Sequence, residues 1–270
     1  MERIQQAIAR ARAARGDAPV RTHAPAAAGG PPAIAEAWAR LPPFVADTRR
    51  LKAGRIVTPF GGQEATAFDV VRTKTLQTMR ANGWKRLAIT SASPGCGKST
   101  VTLNLAYSLA RQPDVRAIVT ELDLRRPSLA RTLGVTPRAG IADVLEGRAA
   151  FAEQALCHGG NLALSLSTGP VRNPAELLNS TALSGQLEAI EAEYAPDLTI
   201  FDMPPMLVSD DMMAFAGQVD CVLMIAAAEA TTVKEIDICE RELARQTNFM
   251  GVILNKCRYM GEEYGYSYYG

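Results

Sequence analysis

From residue 69 onward, short runs of apolar and β-branched residues alternate with longer stretches whose apolar positions recur every three or four residues. The runs at 86–90, 117–122, 162–167, 198–201, 221–225 and 251–254 have the length and composition of buried strands. Helical periodicity occupies 98–111, 184–194 and 233–246 between them. A strand followed by a crossover helix returns the chain to the same end of the sheet, so neighbouring strands run parallel and helices cover both faces. The pattern predicts an α/β fold with a doubly wound, mostly parallel sheet.

Upstream the pattern fades. Residues 1–60 are rich in Ala, Pro, Gly and Arg, which predicts a flexible arm with little core of its own. The expected division is an arm over 1–60, one α/β domain over 61–258 and a tail over 259–270. With 270 residues there is room for one large domain and not for two of ordinary size. An apolar fraction of 47% and a net charge of +1 argue against a disordered chain and against a nucleic-acid binder held by bulk positive charge. Five scattered cysteines with no CxxC pair disfavour both a disulfide framework and a zinc module. No run of about 18 apolar residues and no signal-peptide pattern occurs, so a cytoplasmic location is expected.

The chemistry concentrates after the first predicted strand, in Ala92-Ser93-Pro94-Gly95-Cys96-Gly97-Lys98-Ser99-Thr100. A glycine-rich turn between strand and helix, closed by Lys and a hydroxyl residue, is the setting of a phosphate loop. Gly95 and Gly97 let backbone N–H groups turn toward phosphate oxygens, and the helix N-terminus adds positive potential. Lys98 is placed to bridge terminal phosphates and the Ser99 hydroxyl to ligate Mg²⁺. Ala92 stands where the common GxxxxGK[ST] pattern has its first glycine.

A metal on such a loop needs carboxylates at neighbouring strand ends. Asp202 follows the run 198–201, and Pro204-Pro205 stop that strand. Its carboxylate is expected to face the metal shell, the alternative being that it caps the turn. The run 117–122 leads into Glu121-Leu122-Asp123-Leu124-Arg125-Arg126-Pro127. Glu121 and Asp123, two apart on a strand, are expected on one face, where they can share a metal or a proton.

Together these residues resemble the bacterial tyrosine kinases (BY-kinases) of capsule and exopolysaccharide biosynthesis, in their stand-alone cytoplasmic form. The resemblance runs from about residue 69 to the end. It rests on the loop from Ser93 to Ser99, the segment from Glu121 to Pro127, Asn173-Pro174-Ala175-Glu176-Leu177-Leu178, Asp202-Met203-Pro204-Pro205 and Ser209-Asp210. It implies a P-loop NTPase fold that binds ATP and Mg²⁺, with Ser93, Pro94, Gly95, Cys96, Gly97, Lys98, Ser99 and Thr100 around the nucleotide. Ser99, Asp123 and Asp202 are then the metal residues, and Lys98, Glu121, Asp123, Arg125 and Asp202 the catalytic set, one carboxylate activating a tyrosine hydroxyl. The resemblance also implies a homo-oligomer, a membrane adaptor of the polysaccharide co-polymerase type, recruitment to the inner face of the cell membrane, a counteracting tyrosine phosphatase and no nucleic acid.

Two departures stand out. Glu121 occupies a position where the family usually has Asp, and a shift of that size can cost rate, so whether Glu121 or Asp123 is the base stays open. The family's association stretch, an acid and two arginines at three-residue spacing, here reads Asp69-Val70-Val71-Arg72-Thr73-Lys74-Thr75, with Thr75 for the second arginine.

The tail adds an independent signal. Tyr259, Tyr264, Tyr266, Tyr268 and Tyr269 are five of the chain's seven tyrosines. Glycines and acids separate them, which predicts a mobile segment, and the expected phosphoacceptors are Tyr264, Tyr266, Tyr268 and Tyr269. Each phosphate adds about −1.5 to −2 charge, which would weaken docking at an acidic metal site. The competing readings are an adhesive aromatic tail, a non-catalytic ATP-binding scaffold of the same export machinery, and an ATPase switch of the partitioning or cell-division type. The last is disfavoured because those proteins carry a Lys five positions before the loop Lys, where this chain has Ser93.

Overall fold

Apolar alternation with both faces covered builds the sheet. A computed structural model describes residues 32–257. Its strands are β1 (Arg86–Thr90), β2 (Ala117–Glu121), β3 (Leu156–His158), β4 (Leu162–Ser165), β5 (Leu198–Asp202), β6 (Cys221–Ala227) and β7 (Asn248–Asn255). They lie in the order β3-β4-β2-β5-β1-β6-β7. All neighbours are parallel except β3, which pairs antiparallel with β4. The expected doubly wound, mostly parallel sheet is thus present. β3 escaped the sequence reading because three residues are too few to display a period.

Successive residues of the central strands feed two separate cores. Ala88, Ile118, Phe201, Val222 and Met224 pack on one side. Leu87, Ile89, Val119, Ile200 and Leu223 pack on the other. Successive side chains point to opposite faces, so apolar neighbours in a strand are what a sheet covered on both faces requires. The first core is closed by Leu183, Leu187 and Tyr194 of the Thr181–Tyr194 helix and by Cys239 and Leu243 of the Val233–Leu243 helix. The second is closed by the Lys98–Ala110 helix, buried from Val101 to Leu109, with Leu76 and Met79 of the Gln63–Asn82 helix. Local capping fixes the helix starts. Ser180 Oγ accepts from Leu183 N at 3.3 Å, and Thr232 with Glu235 forms a reciprocal capping box.

Residues 32–60, expected as part of the arm, are folded onto the domain. The Pro32–Arg40 helix buries Trp38 to 3% exposure, and the indole Nε1–H donates to Tyr194 O at 2.7 Å. Phe44 N donates to Cys157 O and Cys157 N to Pro42 O, which ties the following segment to β3. Leu51 and Ile56 then enter the second core, and Val57 N and Thr58 N both donate to Asn104 Oδ1. A few large apolar anchors in an Ala/Pro-rich context suffice here because the domain supplies the other half of each contact. Trp38→Phe, which keeps a benzene ring but loses the pyrrole half of the indole and its N–H bond to Tyr194, is expected to lower stability by about 1–3 kcal/mol. Urea unfolding would measure it, and an unchanged midpoint would contradict this docking. The remainder of the arm and the tail tyrosines lie outside the described residues.

Candidate functional site

β1 ends at Thr90, and the chain turns through the phosphate loop into the helix that starts at Lys98. Two glycines make the turn possible: Gly95 and Gly97 have φ of +78° and +91°, in the left-handed region. A side chain at Gly97 would also collide with the Asn255 amide, which donates to Cys96 O at 2.8 Å. The end of β7 therefore braces the loop from behind.

In front of the loop lies a cavity of about 590 Å³. Pro94, Gly95, Gly97, Lys98, Ser99 and Thr100 line it, and Asp123 and Arg125 face it from the segment after β2. Ser93 and Cys96 point elsewhere. The Ser93 hydroxyl donates to Glu235 Oε1 at 2.9 Å, and the buried Cys96 thiol donates to Ser93 O.

Parallel pairing carries the acidic groups to this end of the sheet. Asp202 is in register with Ile89 of β1 and with Glu121 of β2. Its carboxylate is wholly buried and accepts from Ser99 Oγ at 2.7 Å and from Thr102 Oγ1 at 3.1 Å. Burial pushes its pKa up to about 7, while nearby Lys98 and the Ser99 bond pull the other way. Thr102 was not anticipated, although it sits three residues after Ser99 on the same helix face. Lys98, 7% exposed, holds its Nζ 3.8 Å from Asp123 Oδ2. Burial also raises the Asp123 carboxyl, with Lys98 opposing.

The expected partnership of Glu121 and Asp123 is not formed. Glu121 Oε1 accepts from Ser128 N at 2.5 Å and Leu129 N at 2.6 Å, and Oε2 accepts from Ser167 N at 3.0 Å. The side chain is fully buried, outside the residues that line the cavity, and caps the Leu129–Leu133 helix. Burial pushes its pKa up while the three N–H donors pull it down. β2 ends at Glu121, so strand alternation no longer governs Asp123 two residues on.

Arg125 forms a two-point pair with Asp211: Nε to Oδ2 at 2.7 Å and the terminal nitrogen to Oδ1 at 2.9 Å. Asp211 is fully buried and also accepts from Ser209 Oγ. The guanidinium thus ties the segment after β2 to the loop beyond Pro204-Pro205, which borders the same cavity. Arg126, Arg131 and Lys256 complete the basic rim; family resemblance pointed to Asn255-Lys256 at the border of the base pocket, whereas Arg131 carried no signal of its own, since its approach depends on the tertiary path of the loops. Of the association stretch, Asp69 accepts from Ser108 Oγ and pairs with both Arg72 and Arg111, while Thr75 is buried.

The donor set fits Mg²⁺. A hydroxyl and one or two carboxylates beside a phosphate cradle match a small hard cation that keeps phosphate and water ligands. A carboxylate buried without a full counter-charge gains from such a cation. Among the described residues no group of three or more His, Cys, Asp or Glu side chains is arranged to hold a metal unaided.

No family model matches the chain. It is similar to tyrosine-protein kinase YwqD of Bacillus subtilis, 32% identical over 189 residues that cover 69% of this chain and 78% of that protein. Tyrosine-protein kinase etk of Escherichia coli K12 is 33% identical over 172 residues, 63% of this chain and 23% of that protein. The chain thus spans about a quarter of the longer curated relatives it matches. The solved kinase domain of Escherichia coli tyrosine kinase ETK superposes with a TM-score of 0.67 at 28% identity, covering 78% of this chain and 84% of that one. With a phosphate loop, a buried strand-end aspartate on its serine and relatives of this extent, the chain belongs to the bacterial tyrosine-kinase family.

Proposed function

We propose that the protein is an ATP-dependent tyrosine autokinase that phosphorylates its own cluster Tyr264, Tyr266, Tyr268 and Tyr269 and regulates exopolysaccharide synthesis and export. The observation that carries this reading is that Lys98, Ser99 and Asp123 line the 590 Å³ cavity while Asp202, buried behind them, accepts from the Ser99 hydroxyl. Lys98 and the loop amides hold the terminal phosphates of ATP in line with an incoming phenol. Ser99 and Asp202, with Asp123 beside them, hold Mg²⁺, which when bound neutralises charge on the phosphates. Asp123 takes the proton from the tyrosine O–H as its oxygen bonds to the γ-phosphorus. The bond from that phosphorus to the bridging oxygen breaks, and ADP leaves. Glu121 caps a helix in this scheme, so its extra methylene relative to Asp is not a sign of lost chemistry.

No helix among the described residues is long and apolar enough to cross a membrane. By the family resemblance, a membrane adaptor of the polysaccharide co-polymerase type brings the protein to the inner face of the cell membrane, where it works as a homo-oligomer. A tyrosine phosphatase resets the tail. The test is incubation of the full chain with ATP and Mg²⁺, alone and with adaptor segments, followed by mass-spectrometric mapping. Phosphate is expected on the tail, and replacement of Tyr264, Tyr266, Tyr268 and Tyr269 by Phe is expected to remove most of it. Unmodified tail tyrosines in every mixture would end this reading.

A further inference from the structure

Beside the phosphate cavity lies a second one of about 580 Å³, bounded by the turn at Arg126-Pro127, by Ala130 and Arg131, and by the loop from Ser167 to Pro170. The two share a wall, since Arg125, Arg126 and Arg131 line both. Arg125 is committed to Asp211. Arg126 and Arg131 are exposed and form no ion pair among the described residues. The second cavity has no carboxylate in its lining, and Pro127, Val135, Pro137 and Pro170 give it an apolar floor. Guanidinium groups over such a floor suit an extended segment that carries carboxylates, because each planar fork can take a carboxylate at two points. A small inorganic anion would leave the floor uncovered.

We propose that this second cavity reads the acceptor segment, with Arg126 and Arg131 binding acidic residues directly N-terminal to the tyrosine that enters the phosphate cavity. The inference rests on the kinase reading above and names its substrate class. Glu262-Glu263-Tyr264 supplies two carboxylates one and two residues before a tyrosine, whereas Tyr266, Tyr268 and Tyr269 have no acid in either preceding position. Two residues of extended chain span about 7 Å, the scale of a wall common to both cavities. Tyr264 is then modified first, and Arg126 and Arg131 act as specificity residues that lower KM.

The experiment uses the full chain, ATP and Mg²⁺, and a peptide of the sequence 260–265, whose one tyrosine is Tyr264, compared with the same peptide carrying Glu262→Lys and Glu263→Lys. The lysine peptide is expected to show a KM about tenfold higher, equal to about 1.4 kcal/mol, with kcat little changed and the difference shrinking at high salt. Protein carrying Arg126→Glu and Arg131→Glu is expected to reverse the order, preferring the lysine peptide, a rescue that damaged folding would not give. Equal KM values for both peptides, with labelling proceeding, would overturn the inference and leave the kinase reading intact. So would a charge-reversed protein whose KM for ATP rises while its peptide preference stays the same, because the arginines would then serve the nucleotide. Absence of labelling on any peptide and on the tail would overturn both.

Discussion

Lys98→Met is expected to cut tyrosine phosphorylation by about 10²–10³-fold or more while the protein stays folded. The side chain is 8% exposed and its Nζ stands 3.8 Å from Asp123 Oδ2. It also lowers the pKa of both Asp202 and Asp123 against the upward push of burial. In phosphoryl transfer nearly all catalysis is positioning and charge stabilisation, and one preorganised cationic or N–H donor in a dry site contributes about 2.7–4 kcal/mol. Methionine is unbranched and of similar length, so it fills the space of the lysine stem and removes the charge alone. Two losses coincide in the proposed kinase: the γ-phosphate loses its cation, and Asp123 and Asp202 lose a neighbour that favours their charged forms. Single-turnover labelling with saturating ATP would measure the first, and circular dichroism would verify the fold. Labelling within threefold of the unaltered protein would remove Lys98 from the phosphate site.

How much of this site could be read from sequence depends on how local each feature is. The glycine turn is continuous in the chain, and Gly95, Gly97, Lys98 and Ser99 must be neighbours to make it, so its shape was legible, although not that Ser93 and Cys96 would point away from the cavity. Asp202 was legible because a strand-end carboxylate before two prolines can only emerge at the carboxyl end of the sheet. The fold followed from the same logic, since the middle of each central strand carries apolar residues on both faces, as in Leu87-Ala88-Ile89 and Ala117-Ile118-Val119, and is therefore covered on both. Three features were not legible. Trp38, Leu41, Leu51 and Ile56 are buried anchors spread thinly through an arm-like composition, and their partners Tyr194 and Asn104 lie far away in the chain. β3 is too short to show alternation. Arg126 and Arg131 meet the site only because Glu121 draws the backbone of Ser128 and Leu129 toward itself, folding the intervening turn across the mouth.

That same contact decides the role of the acidic pair. Asp123→Asn is expected to lower kcat by about 10²–10⁴-fold, the range for loss of a positioned general base, with a small change in stability. Glu121→Gln is expected to do the opposite. An amide cannot accept at both ends, so its NH₂ group must face either Ser167 N–H or the Ser128 and Leu129 N–H pair. A buried donor against a donor costs about 1–3 kcal/mol, which for a domain of this size is roughly 2–4 °C in Tm per kcal/mol. Its kcat is expected to stay within about threefold. Glu121→Asp sharpens the contrast: the shorter side chain cannot span three amides on two segments, so restoring the residue usual in the family lowers Tm and brings no gain in rate. Thermal unfolding and kcat measured on the same three proteins separate the roles. Should Glu121→Gln lose rate as steeply as Asp123→Asn at unchanged Tm, the proton would belong to Glu121, and the helix cap would be secondary to the chemistry.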